Sequence, residues 1–91
     1  MEVRWDPHKA ELNLRKHGVS FEEGASILND PLYLGREDPG HSEGEQRFRA
    51  VGRSSEGRIL VLAYTYRQDE VIRIISARAA TRRERKLYEE S

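Results

Sequence analysis

Histidines and arginines are the residues of this 91-residue sequence that could carry chemistry. Histidine titrates near neutral pH, so it can move a proton without a metal ion. Arginine presents a planar fork of donors that suits phosphate oxygens. Cleavage of an RNA phosphodiester needs a base for the ribose 2′-hydroxyl, an acid for the leaving oxygen and cations around the phosphate. The sequence contains residues for all three tasks.

The candidate residues lie at the end of the first predicted helix, in a polar loop and on the strands that follow it. Those expected to take part in the reaction are Lys16, His17, His41, Glu45, Arg53 and Arg73. Those expected to contact RNA are Arg47, Arg49, Tyr64 and Arg78. The sequence does not decide which side chain is the base and which is the acid.

Several candidates also have a purely structural interpretation. His17 precedes Gly18, so it could only cap the carboxyl end of a helix and complement its dipole. His41, in a loop of Gly, Ser and Glu, could be an ordinary surface residue. Tyr64 and Tyr66 could stack on a base or pack within the sheet, and packing is favoured for one of them.

Metal and cofactor chemistry finds no support in the motifs. His8 and His17 are nine residues apart, which is not the i, i+4 spacing of two metal ligands on a helix. Gly35, Gly40 and Gly44 do not have the spacing of a phosphate-binding loop or a dinucleotide fold. No nucleophile elbow is present. We therefore expect neither a cofactor nor a metal ion.

Length and composition predict one small domain that spans residues 1–91. The chain has no cysteine and no apolar run of signal-peptide or membrane-span length, so we expect a cytoplasmic protein without membrane contact. Its net charge of zero hides a division of charge. Residues 1–46 carry five basic and ten acidic side chains, whereas residues 47–91 carry eleven basic and six acidic ones.

Two helices are predicted before the cationic half of the chain. The first covers residues 7–17, because Asp6 can cap it and Gly18 can end it. The second covers residues 21–29 and begins with a capping box that starts at Ser20. The stripe of the first helix expected to face the core is Ala10, Leu14 and His17.

Strands make up most of the remaining chain. They are predicted at residues 2–5, 32–34, 47–54, 58–67 and 71–78, with a polar loop at 36–46 and a final helix from the cap Thr81 to residue 90. The fold class is therefore α+β: a small antiparallel β-sheet with two amino-terminal helices packed on it and a short carboxyl-terminal helix. The side of the third strand that we expect to be exposed carries Arg47, Arg49, Val51 and Arg53.

The order and spacing of several sequence blocks are distinctive. The blocks are Trp5-Asp6-Pro7 with Lys9, Asn13-Leu14-Arg15-Lys16-His17-Gly18-Val19-Ser20-Phe21-Glu22-Glu23, residues 38–48, Ile72-Arg73-Ile74-Ile75-Ser76-Ala77-Arg78-Ala79, and Arg82-Arg83-Glu84-Arg85 with Tyr88-Glu89. Together they resemble the BrnT family over nearly the whole chain. The resemblance implies a ribonuclease toxin of a type II toxin–antitoxin system, with a RelE-like fold, that cuts RNA and halts growth.

The same resemblance implies a partner. This would be a BrnA-like antitoxin with a ribbon-helix-helix type DNA-binding part, and operator DNA would be reached only through that antitoxin. The chain departs from the family at Gly24, where alanine is more usual. We expect this glycine to weaken the second helix by about 1 kcal/mol.

Two other functions are compatible with the residues. The arginine-rich sheet face could dock a partner protein without catalysing a reaction. Alternatively, the basic final helix could bind DNA, although the sequence shows no recognisable recognition helix.

Overall fold

The computed structural model describes residues 1–39, 46–68 and 70–91. Its elements in chain order are β1 (Glu2–Arg4), α1 (Pro7–His17), α2 (Phe21–Ser26) continued by a 3-10 turn (Ile27–Asn29), β2 (Leu34–Asp38), β3 (Arg47–Arg53), β4 (Ile59–Arg67), β5 (Val71–Ala79) and α3 (Arg82–Glu90). The strands form one sheet in the order β1-β5-β4-β3-β2. The predicted α+β class and the order of the elements are confirmed. None of the described helices is long and apolar enough to cross a membrane.

The helices begin where their capping residues predict. Asp6 accepts a hydrogen bond from the backbone N–H of His8 at 2.8 Å, and Gly18 ends α1 with a φ of +69°. Ser20 caps α2 by accepting from the N–H of Glu23 at 3.0 Å. The predicted capping box is not completed there, because Glu23 directs its carboxylate to side chains outside the helix.

The sheet differs from the prediction at both edges. Pairing among β2, β3, β4 and β5 is antiparallel, but β1 pairs with β5 in parallel. A parallel pair needs a long connection, and here the helices and three strands provide it. The strand predicted at 32–34 lies later, as β2, because Asp30 holds Leu32 in a turn at 2.9 Å. Its polar residues join the sheet through backbone pairing with β3, which side-chain patterning does not reveal.

Helices α1 and α2 pack on one face of the sheet, and α2 approaches it very closely. A Cβ atom at Gly24 would lie 2.7 Å from the Cβ of Ala77 and 3.2 Å from Cδ1 of Leu62. Those two residues are directly paired across β4 and β5 and are fully buried. Gly24 is therefore required by close packing, a role that its expected cost to the helix did not reveal.

Asn13 docks α1 on the sheet. The predicted core stripe of α1 is wrong at Leu14, which is half exposed, whereas Asn13 is buried. The Asn13 amide donates to the carbonyls of Val19 at 2.9 Å and Ala77 at 2.8 Å. Its oxygen accepts from the N–H of Ala77 at 3.2 Å. Because β1 pairs only with Val71, Ile72 and Arg73, this side chain satisfies the outer edge of β5 beyond the end of β1.

Replacing Asn13 with alanine should destabilise the fold. Three hydrogen bonds would be lost and buried backbone groups left without partners, so the free energy of unfolding should fall by about 2–3 kcal/mol. Thermal denaturation should then show a melting temperature lower by about 10 °C or more. Lys9→Ala, at an exposed site on the same helix, is the control. Equal melting of the two variants would contradict this role for Asn13.

Candidate functional site

A row of side chains crosses the whole sheet on the face opposite α1 and α2. Residues directly opposite one another on neighbouring strands point to the same face. The register pairs Arg4 with Arg73, Arg73 with Thr65, Thr65 with Arg47 and Arg47 with Asp38. We call these five residues the transverse row.

The same parity places all eight arginines of the five strands on this face. Those arginines are Arg4, Arg36, Arg47, Arg49, Arg53, Arg67, Arg73 and Arg78. We call this surface the arginine face. The side of β3 predicted to be exposed is only partly so: Arg53 is exposed, but Arg47, Arg49 and Val51 are half-buried, whereas Ala50 and Gly52 on the other side are buried. Helix α3 covers one end of the arginine face, where Glu84 binds Arg78.

Arg47 and Arg73 are the two predicted site residues that the fold brings together. They flank Thr65 in the transverse row, with their backbones about 10 Å apart across β4. Both side chains are half-buried. Among the residues that the structure describes, no carboxylate forms an ion pair with either of them.

Arg49 and Arg78, predicted to contact RNA, already have carboxylate partners. Arg49 lies 3.2 Å from Asp38. Arg78 donates from both terminal nitrogens to Glu84, at 2.7 and 3.0 Å. This bidentate contact is the main cause that lowers the pKa of Glu84 to about 2 and raises the pKa of Arg78. Arg78 thus acts as an anchor for α3 in this structure.

Arg53 shares the arginine face but lies at its other end. It pairs with Ile59 at the start of β4, about 20 Å along that strand from Thr65. Its backbone N–H donates to Asp30 at 2.8 Å, and its side chain reaches the carbonyl of Gly57 at 3.4 Å. The prediction that Arg53 and Arg73 share a face is correct, but one phosphodiester cannot contact both.

Tyr64 is a packing residue, and its predicted contact with RNA does not fit the structure. It is only 4 % exposed, on the helix side of the sheet, and stacks on Phe48 with ring centroids 5.7 Å apart. Burial is the largest of the effects that raise the pKa of Tyr64 to about 12. Tyr66, whose ring meets Tyr64 edge-on, is the half-exposed member of the pair.

Neither Lys16, predicted to bind phosphate, nor His17, predicted to transfer protons, lies at the transverse row. Lys16 and His17 end α1 on the opposite face, beside Gly18, whose carbonyl accepts from Arg58 at 3.2 Å. His41 and Glu45 lie outside the described residues. Within the described ranges, no three histidines or carboxylates form a group that could hold a metal ion.

Sequence reasoning missed the residues that extend this site. A pocket of about 450 Å³ beside the transverse row is lined by Arg4, Arg67, Gln68, Val71 and Arg73. The alternation of side chains along a single strand does not indicate which residues of other strands lie beside Arg4 or Arg67. The registers of β1 and β4 on β5 were needed to place them near Arg73.

Comparison with known proteins agrees with this fold. The chain resembles the crystal structure, at 1.1 Å resolution, of the Brucella abortus ribonuclease toxin BrnT, with a TM-score of 0.62. The two are 24 % identical, and the likeness covers 90 % of this chain and 99 % of that one. No curated protein matches the sequence.

The fold and the family model together define the class of protein. The model of BrnT, described as a ribonuclease toxin of type II toxin–antitoxin systems, matches residues 5–84. The chain therefore belongs to the BrnT family of ribonuclease toxins.

Acid titration should reveal the anchor between Glu84 and Arg78. The pKa of Glu84 is lowered from 4.5 to about 2 in the folded chain, so its stabilising contribution is full above pH 4.5 and disappears as the pH falls through 2. Melting temperatures between pH 6 and 2 should fall less steeply for Glu84→Gln than for the parent. Glu89→Gln, at an exposed site on the same helix, should follow the parent. Parallel curves for the parent and Glu84→Gln would refute the assignment.

Proposed function

We propose that this chain is a metal-independent endoribonuclease that inhibits growth and is neutralised by a BrnA-like antitoxin of the ribbon-helix-helix type. The observation that carries the proposal is the transverse row. Two arginines that pair with no carboxylate of the described residues flank a buried threonine there, on a sheet face that the helices α1 and α2 leave open.

Arg47 and Arg73 would bind the scissile phosphate. The ribose 2′-oxygen attacks phosphorus, the bond to the 5′-oxygen breaks, and the products are a 2′,3′-cyclic phosphate and a 5′-hydroxyl. Negative charge grows on the phosphate oxygens in the transition state, where two preorganised guanidinium groups stabilise it. The proton of the 2′-hydroxyl passes to a base, and the leaving oxygen takes a proton from an acid.

The position of α1 bears on which residues transfer these protons. Lys16 and His17 lie on the helix side, so the sheet separates them from the transverse row. His41 and Glu45 precede β3, the strand that begins with Arg47. We therefore propose His41 and Glu45, rather than His17, as the proton-transfer candidates, and Arg47 and Arg73, rather than Lys16, as the phosphate ligands.

A groove beside the arginine face supports the proposed antitoxin. Its volume is about 350 Å³, and it lies between α3 and the edge strand β2. Leu34, Val51 and Leu87 provide apolar surface, and Arg36 and Arg49 provide positive charge, whereas Glu84 in the same lining is bound to Arg78. We propose that an antitoxin segment with apolar side chains and carboxylates docks here. Its apolar side chains would pack on the apolar surface of the groove, and its carboxylates would face the arginines.

The same groove keeps a second function open, in which the arginine face only docks a partner. RNA cleavage separates the two functions, because a docking module would bind its partner without cutting RNA.

Cleavage assays in EDTA should distinguish the two ends of the arginine face. Arg73→Ala should lower the rate by roughly tenfold to a hundredfold, because a charge-assisted contact to phosphate is lost. Arg53→Ala, which removes the same charge about 20 Å away, should have a much smaller effect. Circular-dichroism melting would confirm that both variants fold.

The same assay tests the chemistry. Deoxyribose at the cleaved position should block the reaction, and the product should end in a 2′,3′-cyclic or 3′-phosphate. A requirement for magnesium, equal cleavage of DNA, or full activity of Arg73→Ala would count against the proposal.

Antitoxin binding should depend on the groove. The complex should melt at a higher temperature than the free chain, because a ligand that binds only the folded state stabilises it. Leu87→Glu should weaken binding by about tenfold or more in calorimetry, since it places a charge against an apolar surface. Leu12→Glu changes a similarly exposed leucine on α1 (49 % against 55 %) and is the matched control. Equal affinities of the two variants would move the docking site elsewhere.

A further inference from the structure

We propose that Arg4, Arg67 and Arg73 form a second phosphate subsite, which binds an RNA phosphate next to the one being cleaved. This inference rests on the proposed function, because it takes single-stranded RNA as the ligand of the arginine face. It adds the residues Arg4 and Arg67, to which the proposed cleavage reaction assigns no role.

The register brings the three arginines together. Arg4 on β1 lies directly opposite Arg73 on β5. Arg67 on β4 lies opposite Val71, two residues before Arg73 on the same strand. All three side chains therefore point to the arginine face, and they line one pocket of about 450 Å³ with Gln68 and Val71.

The charges of this pocket favour an anion. Like charges directly opposite each other on neighbouring strands repel, and Arg4 and Arg73 form such a pair. Arg4 binds Glu2, which is itself exposed, whereas Arg73 has no ion-pair partner among the described residues. A bound phosphate would relieve the repulsion and accept bonds from more than one guanidinium.

Continuity with the transverse row favours a phosphate that belongs to a nucleic acid strand. Arg73 lines the pocket and also stands beside Thr65 in the row. An RNA strand whose scissile phosphate lies between Arg47 and Arg73 would place a neighbouring phosphate on the β1 side of Arg73. Arg4 and Arg67 are exposed, which suits contact with an extended strand.

The salt dependence of RNA binding tests the subsite without cleavage. The probe is an RNA oligonucleotide with 2′-O-methyl groups throughout, so it binds but provides no nucleophile. For single strands, each neutralised phosphate contributes about 0.7 to the slope of log affinity against log salt concentration. Arg4→Gln and Arg67→Gln should each reduce that slope by about 0.7 and weaken binding about threefold to tenfold.

Two further variants control the measurement. Arg15→Gln removes the same charge from an exposed site on α1, so the slope should equal that of the parent. Glu2→Gln removes the carboxylate that competes for Arg4, so RNA should bind more tightly. A gain of affinity cannot arise from partial unfolding.

The outcomes separate this inference from the proposed function. If the parent cuts unmodified RNA but Arg4→Gln and Arg67→Gln keep its slope, the subsite is overturned and the nuclease stands. If Arg4→Gln and Arg67→Gln show the expected lower slopes with the probe but the parent cuts no RNA, the proposed nuclease is overturned and the pocket stands as a site for an RNA phosphate. Inorganic phosphate tests whether the pocket binds a free ion instead. If phosphate raises the melting temperature of the parent but not of Arg4→Gln, while the two proteins show the same salt slope with RNA, the pocket binds free phosphate only. That result would overturn the subsite.

Discussion

Hydrogen bonding along β5 is the constraint on which the other features of this fold depend. One edge of β5 pairs with β4. The other edge is covered by β1 only as far as Arg73, and beyond it Asn13 satisfies both backbone groups of Ala77. Because that side chain belongs to α1, the contact that completes the edge also fixes the helix on the sheet.

The two faces of β5 have different roles: one packs against the helices α1 and α2, and the other carries arginines. On one face, Ala77 is small enough for Gly24 to approach it, so α2 can lie close to the sheet. On the other face, Arg73 and Arg78 project toward solvent and α3. A side chain larger than alanine at residue 77 would push the helix layer outward and disturb the strand that carries both arginines.

Ion pairing divides the arginines into two groups. Acidic residues of the amino-terminal half hold some of them in structural contacts. Glu23 accepts from the Nε atom of Arg58 at 2.9 Å, and that contact is the main cause of the lowered pKa of Glu23. Asp38 binds Arg49. Arg47 and Arg73 have no such partner among the described residues.

Local sequence determined the helix starts, the three long strands and the side of β3 that carries arginine. Caps such as Asp6 and Thr81 and the period of two in residues 47–53 act within a few residues, so they can be read without a partner element. The spacing of sequence blocks likewise indicated the BrnT family, which the family model confirms.

Only the tertiary structure decided which of the candidate residues share a site. Parallel pairing placed Arg4 beside Arg73, and strand length separated Arg53 from that pair. Long-range packing buried Asn13 and Tyr64 but left Leu14 and Tyr66 half exposed. These outcomes depend on register and on contacts between distant segments. Residue type and alternation limit the faces a side chain can choose, but they do not determine what lies opposite it.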